Sequence, residues 1–157
     1  MTTTKAEMIG AALARAVKAT TGITSAKLGA ATFRTNMHDV PTLDVGEDGG
    51  MQVRFLLDRA STGADQLLAW TLLKPGARYA RHRHRNCDEF LMVLKGRGHI
   101  DGEKGKEPAG EGDVVFWPRG AWHGFHNSSN DDVVLIWGWI GAGSVEASGT
   151  EMAAAQP

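Results

Sequence analysis

Short apolar segments, separated by residues that favour turns, follow one another between residues 51 and 141. In residues 51–58, apolar side chains alternate with others. Residues 66–73 are almost continuously apolar and end at the turn sequence Lys74-Pro75-Gly76. Further apolar segments cover residues 89–96, 112–118 and 132–141. Many short strands at close spacing, with turns between them, predict an all-β sandwich or barrel.

Composition narrows the class of protein. A chain of 157 residues with 42% hydrophobic residues fits one domain with a substantial core. The net charge of −1 indicates no nucleic-acid partner, and the absence of a long apolar run indicates no membrane span. Cys87 is the only cysteine, which excludes an internal disulfide, and the polar N-terminus does not look like a signal peptide. A cytoplasmic protein is therefore expected.

The first residues of the chain have a helical pattern. Thr4 and Glu7 form a capping box, and apolar residues then recur at helical spacing through residues 4–19. This pattern predicts an N-terminal helical arm over residues 1–30.

The remainder of the chain divides into a barrel and a tail. The strand pattern predicts a β-barrel over residues 31–145. After Ala142 the composition becomes small and polar, so residues 146–157 are expected to form a flexible tail.

Two histidines separated by one residue, His82 and His84, suggest a metal site. On a strand, residues two apart share a face and lie about 6.6 Å apart. Glu89 would face the other side of an unbroken strand, so residues 85–88 must turn the chain and return its carboxylate to the same interior. His123 is the candidate fourth ligand. A lone histidine is more often structural or exposed, but three imidazoles and one carboxylate suit Mn, Fe, Co, Ni, Cu or Zn.

Two stretches of the sequence carry a family resemblance. The first has the pattern G-x5-H-x-H-x4-E-x6-G, and the second has the pattern G-x5-P-x-G-x2-H-x3-N. The residues of these patterns are Gly76, His82, His84, Glu89 and Gly96, and then Gly112, Pro118, Gly120, His123 and Asn127. In order, spacing and identity they resemble the two motifs of the cupin superfamily.

The resemblance implies a fold, a cofactor and an oligomeric state. The implied fold is a cupin-type jelly-roll β-barrel, here with a short N-terminal helix. The implied cofactor is one divalent transition metal, held by His82, His84, Glu89 and His123. Fe(II) is the favoured ion, with Mn(II), Zn(II), Ni(II), Cu(II) or Co(II) as alternatives. A homodimer is also expected.

Three further residues are candidates for binding a substrate. Arg78 shares the parity of His82 along a regular strand, so it is expected to face the barrel mouth, where a cation could hold a carboxylate. Phe125 shares the parity of His123, and Trp137 lies in the last predicted strand. Both are expected to form a cavity wall that suits an apolar or aromatic substrate, although simple core packing is the alternative.

Other residues near the motifs are expected to have structural roles. Arg81 and Arg83 alternate with the histidines and should point away from the metal. Cys87, in the turn between ligands, is expected to point outward. Asn127 is expected to tie backbone together near the site.

Three functions are compatible with these features. The first is an Fe(II)-type dioxygenase acting on a small organic molecule, such as an aromatic or dicarbonyl compound. The second is a non-oxidative metal-dependent lyase, decarboxylase or isomerase, in which the ion polarises a carbonyl. The third is a non-catalytic cupin that binds a small molecule. A fold of this kind hosts all three, so it does not choose between them.

Overall fold

The computed structural model describes residues 32–45 and 50–154. The helix predicted over residues 4–19 and the whole of the arm predicted over residues 1–30 therefore lie outside the described residues. Among the described residues, no helix is both long and apolar enough to cross a membrane.

The described chain forms two antiparallel sheets. In chain order its elements are β1 (Leu43–Val45), β2 (Met51–Leu57), α1 (Arg59–Thr62), β3 (Gln66–Leu73), β4 (Arg78–His84), β5 (Asp88–Lys95), β6 (Arg97–Gly102), β7 (Gly105–Gly110), β8 (Val114–Trp117), β9 (His123–His126), β10 (Val133–Ile140) and β11 (Thr150–Met152). One sheet has the order β1-β2-β3-β10-β5-β8, and the other has the order β11-β4-β9-β6-β7. The predicted all-β fold is confirmed. The five apolar segments match strands β2, β3, β5, β8 and β10 to within a few residues.

The two sheets share one apolar core. Along β3, side chains alternate between buried and partly exposed, as the two-residue period of a strand requires. Val53 and Leu135, from the first sheet, are fully buried, and Phe125, from the second sheet, is 1% exposed. Burial of these side chains from both sheets fixes which face of each strand points inward.

The outer face of the first sheet is apolar near its β8 edge. Met92, Leu94, Val114 and Phe116 are exposed there, and Met92 is the registered partner of Val114. Apolar side chains gathered on one face favour a protein contact. The homodimer expected from the resemblance stays a prediction.

The segment after residue 145 differs from the flexible tail that its composition predicts. Residues Glu146–Ser148 form a 3-10 turn, and β11 then pairs with β4, with Thr150 opposite His84 and Met152 opposite His82. Pairing satisfies the backbone groups of the β4 edge, which would otherwise face water. The small and polar residues of this segment do not predict a strand, because the strand is stabilised by its pairing with β4 rather than by its own side chains. Residues 155–157 lie outside the described part.

Asn127 joins the end of β3 to the loop that follows β9, as expected for a residue that ties backbone together. Its side chain is fully buried, and Nδ2 donates to the carbonyl oxygens of Leu73 at 3.0 Å and Asp131 at 2.8 Å. Its Oδ1 accepts from the backbone N–H of Ser129 at 3.0 Å. One amide side chain therefore forms hydrogen bonds with backbone groups at the end of β3 and in the loop after β9.

We expect Asn127→Ala to destabilise the fold without changing the metal site. The substitution leaves buried backbone groups unpaired, at a cost of about 1–3 kcal/mol for each group that water does not reach. Urea unfolding followed by circular dichroism measures the loss. Asn130→Ala, at an exposed position of the same loop, is the control. Equal unfolding midpoints for the two variants would contradict the anchoring role.

Candidate metal centre

Three strands bring the four predicted ligands together. His82 and His84 lie on β4, Glu89 on β5 and His123 on β9. One nitrogen or carboxylate oxygen from each residue lies within 4.8 Å of those of the other three. His84, Glu89 and His123 are buried, and His82 is half-buried. The turn predicted at residues 85–88 does return Glu89 to the face of the two histidines.

The carboxylate of Glu89 is the centre of this cluster. Its Oε2 lies 2.8 Å from Nε2 of His84 and 3.2 Å from Nε2 of His123, and it accepts a hydrogen bond from Nε1 of Trp139 at 2.8 Å. Burial by itself would raise the pKa of Glu89, but the close contacts with the imidazoles of His123 and His84 outweigh burial and hold the pKa well below its usual range. Glu89 therefore carries a negative charge in the folded protein.

The outward nitrogens of two imidazoles bond to backbone carbonyls. Nδ1 of His82 lies 2.7 Å from the carbonyl oxygen of Ala80, and Nδ1 of His123 lies 2.9 Å from that of Ala121. A carbonyl oxygen only accepts, so each Nδ1 carries the hydrogen. In a neutral ring, Nε2 then keeps its lone pair, which is the form that binds a metal.

The donor set fits a bound cation. With its hydrogen on Nδ1, a neutral His123 presents the Nε2 lone pair to the Glu89 carboxylate, 3.2 Å away. Two acceptors at this distance repel unless a proton or a metal ion lies between them. A divalent transition metal meets this need, because imidazole and carboxylate ligands suit Mn, Fe, Co, Ni, Cu and Zn. The residues present therefore fit the metal that the sequence predicts, without selecting one ion.

Burial also keeps His82 uncharged. Burial, followed by the neighbouring His123, lowers the pKa of His82 from 6.5 to about 4, although the carboxylate of Glu89 acts in the opposite direction. At neutral pH its ring is therefore neutral, and its lone pair is available to a metal.

Arg78 does not face the barrel mouth. A β-bulge between Tyr79 and His82 shifts the register of β4 against β9, so residues before the bulge have the opposite parity. Arg78 is exposed and is registered with His126. Tyr79 takes the inward position, and its hydroxyl lies 2.7 Å from Oγ1 of the buried Thr71. The orientation predicted for Arg78 assumed an unbroken strand and is corrected by the bulge, whereas its role in substrate binding stays a prediction.

The other two predicted substrate contacts lie in an aromatic part of the core. Phe125 and Trp137 are 1% and 5% exposed. The Trp137 ring is 5.4 Å from that of Trp139, which in turn is 4.7 Å from the imidazole of His84. Trp137 also contacts Tyr79 edge-on at 5.9 Å. Aromatic rings thus extend from the candidate metal centre into the core, and the role of Phe125 and Trp137 in substrate binding stays a prediction.

The arginine between the two histidines does not contact the cluster. Arg83 pairs with Glu151 at 2.7 Å, and its guanidinium lies over the ring of Trp122 at 4.6 Å. This arrangement agrees with the outward orientation predicted for it.

Cys87 is 1% exposed rather than outward-facing. Its Sγ lies 4.0 Å from the carbonyl oxygen of Ser148, so the segment that was expected to be flexible covers the turn. Burial, together with the negative charges of Glu89 and Asp88, raises the pKa of Cys87 to about 12. The thiol therefore stays protonated and unreactive at neutral pH.

Comparisons with known proteins agree with this fold and cluster. Residues 69–139 match the sequence profile of the family described as "Cupin domain". The chain belongs to the cupin superfamily. Its solved structural neighbours include the polyketide cyclase RemF from Streptomyces resistomycificus, with a TM-score of 0.60 and 26% identity, over 69% of this cupin and 79% of RemF.

Curated relatives of this cupin include two differently named proteins. Gentisate 1,2-dioxygenase from Ralstonia sp is 33% identical over 83 residues, which cover 51% of this chain and 22% of that protein. The polyketide synthase CurC from Streptomyces cyaneus is 24% identical over 105 residues, which cover 66% of this chain and 68% of that protein. The cupin thus spans about a fifth of the dioxygenase and about two thirds of CurC.

We expect His84→Ala to lower metal content close to the apoprotein level, because it removes a buried nitrogen from the cluster. His126→Ala is the matched control, since His126 lies on the same sheet and outside the cluster. Elemental analysis of both purified variants, with circular dichroism as a check of folding, measures the effect. Full metal occupancy in a folded His84→Ala variant would refute the ligand assignment.

We expect the metal-free protein to lose stability as the pH falls from 6.5 to about 4. In this window the unfolded chain binds a proton at His82 while the folded protein resists it, so the free energy of unfolding decreases with falling pH. The contribution of Glu89 is lost only below its ordinary pKa of 4.5. Urea unfolding across this range measures the trend.

The variant His82→Asn tests the assignment of this trend. It should show a smaller decrease over the same range, whereas His38→Asn, at an exposed histidine, should follow the wild type. An unchanged pH dependence in His82→Asn would contradict the assignment.

Proposed function

We propose that this cupin is a metal-dependent enzyme, and specifically an Fe(II) dioxygenase that acts on a small aromatic molecule. The observation that carries the proposal is the buried cluster of His82, His84, Glu89 and His123, whose facing acceptor atoms need a cation between them. The likeness to gentisate 1,2-dioxygenase supports the oxidative form of the proposal.

The protein's own groups prepare the site in three ways. The four side chains would hold the ion, and the single carboxylate of Glu89 would offset part of its charge. Burial of His84, Glu89 and His123 excludes bulk water, which strengthens electrostatic interactions inside the site. When bound, the metal supplies redox chemistry toward O₂ or, in the alternative function, Lewis-acid polarisation of a carbonyl.

The aromatic class of substrate is inferred from the side chains next to the cluster. Trp139 both donates to Glu89 and packs against His84, and Trp137 continues this aromatic surface. Aromatic rings favour offset or edge-on contacts with other rings, so such a surface suits a planar apolar substrate. Tyr79 contributes the edge of this surface, with its hydroxyl held by Thr71.

A second candidate is non-oxidative chemistry on a polyketide. The observation that favours it is the extent of the likeness, because this chain covers 68% of CurC and 79% of RemF but only 22% of the dioxygenase. In this function the metal, or the buried polar groups alone, would polarise a carbonyl and promote ring closure without O₂.

Metal analysis together with O₂ uptake separates the two candidates. Protein purified without added metal is analysed for metals, then tested with a panel of phenols, aromatic acids and diketones. Iron near one per chain, with uptake that depends on substrate, supports the dioxygenase. A zinc-reconstituted sample is the control, since zinc has no redox chemistry and should abolish uptake.

Two other outcomes would overturn the dioxygenase proposal. Turnover of a diketone or polyketide analogue without O₂, retained in the zinc form, would establish the non-oxidative function. Ligand binding without turnover of any compound, under iron and zinc alike, would indicate a binding protein.

A further inference from the structure

The outward nitrogen of His84 has a different kind of partner from those of His82 and His123. For the latter two rings the partner is a backbone carbonyl two residues earlier in the chain. Nδ1 of His84 instead lies 2.9 Å from the hydroxyl oxygen of Thr150, a side chain on β11. A hydroxyl can donate or accept, so this contact alone does not fix which nitrogen of His84 carries the hydrogen.

A chain of hydrogen bonds removes this ambiguity. Oγ1 of Thr150 lies 2.7 Å from Oγ of Ser148, and Oγ of Ser148 donates to the carbonyl oxygen of Val145 at 2.7 Å. The carbonyl can only accept, so it takes the single hydroxyl hydrogen of Ser148. Ser148 must then accept from Thr150, which leaves Thr150 to accept from His84. The direction of the whole chain places the hydrogen of His84 on Nδ1.

We propose that Thr150 is a positioning residue, which acts with Ser148 to hold His84 as the tautomer whose Nε2 lone pair points into the candidate metal centre. This inference rests on the proposed metal site and adds to it a residue outside both cupin motifs. Fixing the outer nitrogen of a ligating histidine sets the orientation of its ring and raises its affinity for a metal.

The position of β11 explains how Thr150 reaches the ring of His84. Thr150 is registered directly opposite His84, and directly opposite residues on one face of an antiparallel pair have side chains in contact. Glu151, the next residue, accepts from Arg83 and Arg85 and so fastens the strand from its other face. Ser148 is fully buried, so water does not replace its part of the chain.

The test compares metal binding by Thr150→Val and Thr150→Ser. Valine keeps the shape of threonine but removes the acceptor, whereas serine keeps the hydroxyl. Isothermal titration of the metal-free proteins with Co(II) should show a loss of affinity of about 10–100-fold for the valine variant, with most of the affinity retained by the serine variant. Equal affinity of the valine variant and the wild type would overturn the proposal.

Two further variants separate positioning from simple strand docking. Ser148→Ala leaves the His84 contact in place but frees the Thr150 hydroxyl to donate to Nδ1, so it should also weaken Co(II) binding. Glu151→Gln weakens the fastening of β11 without touching the hydroxyl chain, so it should bind Co(II) as the wild type does. If Glu151→Gln lost as much affinity as Thr150→Val, docking of the strand would be the cause, and the positioning role would be refuted.

A direct readout of the tautomer completes the experiment. Nitrogen-15 spectra of the histidines in metal-free protein, recorded above the ordinary histidine pKa, distinguish a ring nitrogen that carries hydrogen from one with a free lone pair. Nδ1 of His84 should carry a hydrogen in the wild type and show a mixed population in Thr150→Val. An unchanged spectrum would overturn the role of Thr150. Absence of Co(II) binding by the wild type would instead refute the metal site itself.

Discussion

The buried carboxylate of Glu89 is the group around which the site is arranged. It lies among two imidazole nitrogens and an indole N–H, each from a different strand, and a charge in such a place is stable only with partners. Because the backbone carbonyl of Ala121 holds a hydrogen on the far nitrogen of His123, the near nitrogen of a neutral ring and the carboxylate face each other as two acceptors. The folded protein therefore holds a place for a cation at this point.

The arrangement of the strands brings the partners of Glu89 to one place. β4, β5 and β9 each carry at least one member, and the turn at residues 85–88 allows β4 and β5 to present their members to the same interior although they belong to different sheets. Asn127 then joins the end of β3 to the loop after β9, and β11 pairs with the edge of β4 beside the two histidines. Rigidity of the surrounding backbone is what lets four side chains hold one position.

Burial of the cluster and the aromatic rings beside it bear on both the charges of the site and the proposed chemistry. Burial of the cluster strengthens the field of the carboxylate and lowers the pKa of His82. In the proposed function, the aromatic rings beside the cluster would offer a surface for an aromatic substrate. One group of neighbouring side chains would then serve both the proposed metal binding and the proposed substrate recognition. Dioxygenation would use the redox chemistry of the metal, and ring closure would use its Lewis acidity. The same protein environment is compatible with either reaction.

The sequence by itself determined the barrel and the four members of the cluster. Alternating apolar strands have a fixed two-residue period, and the spacing of His82, His84 and Glu89 is a local property of strands and turns. His123 lies far along the chain and was identified by the second cupin-like motif. Tertiary structure decided the orientation of Arg78, the burial of Cys87 and the role of Thr150. A β-bulge inverts strand parity without a sequence signal, and a short polar strand such as β11 is stabilised by its partner rather than by its own residues.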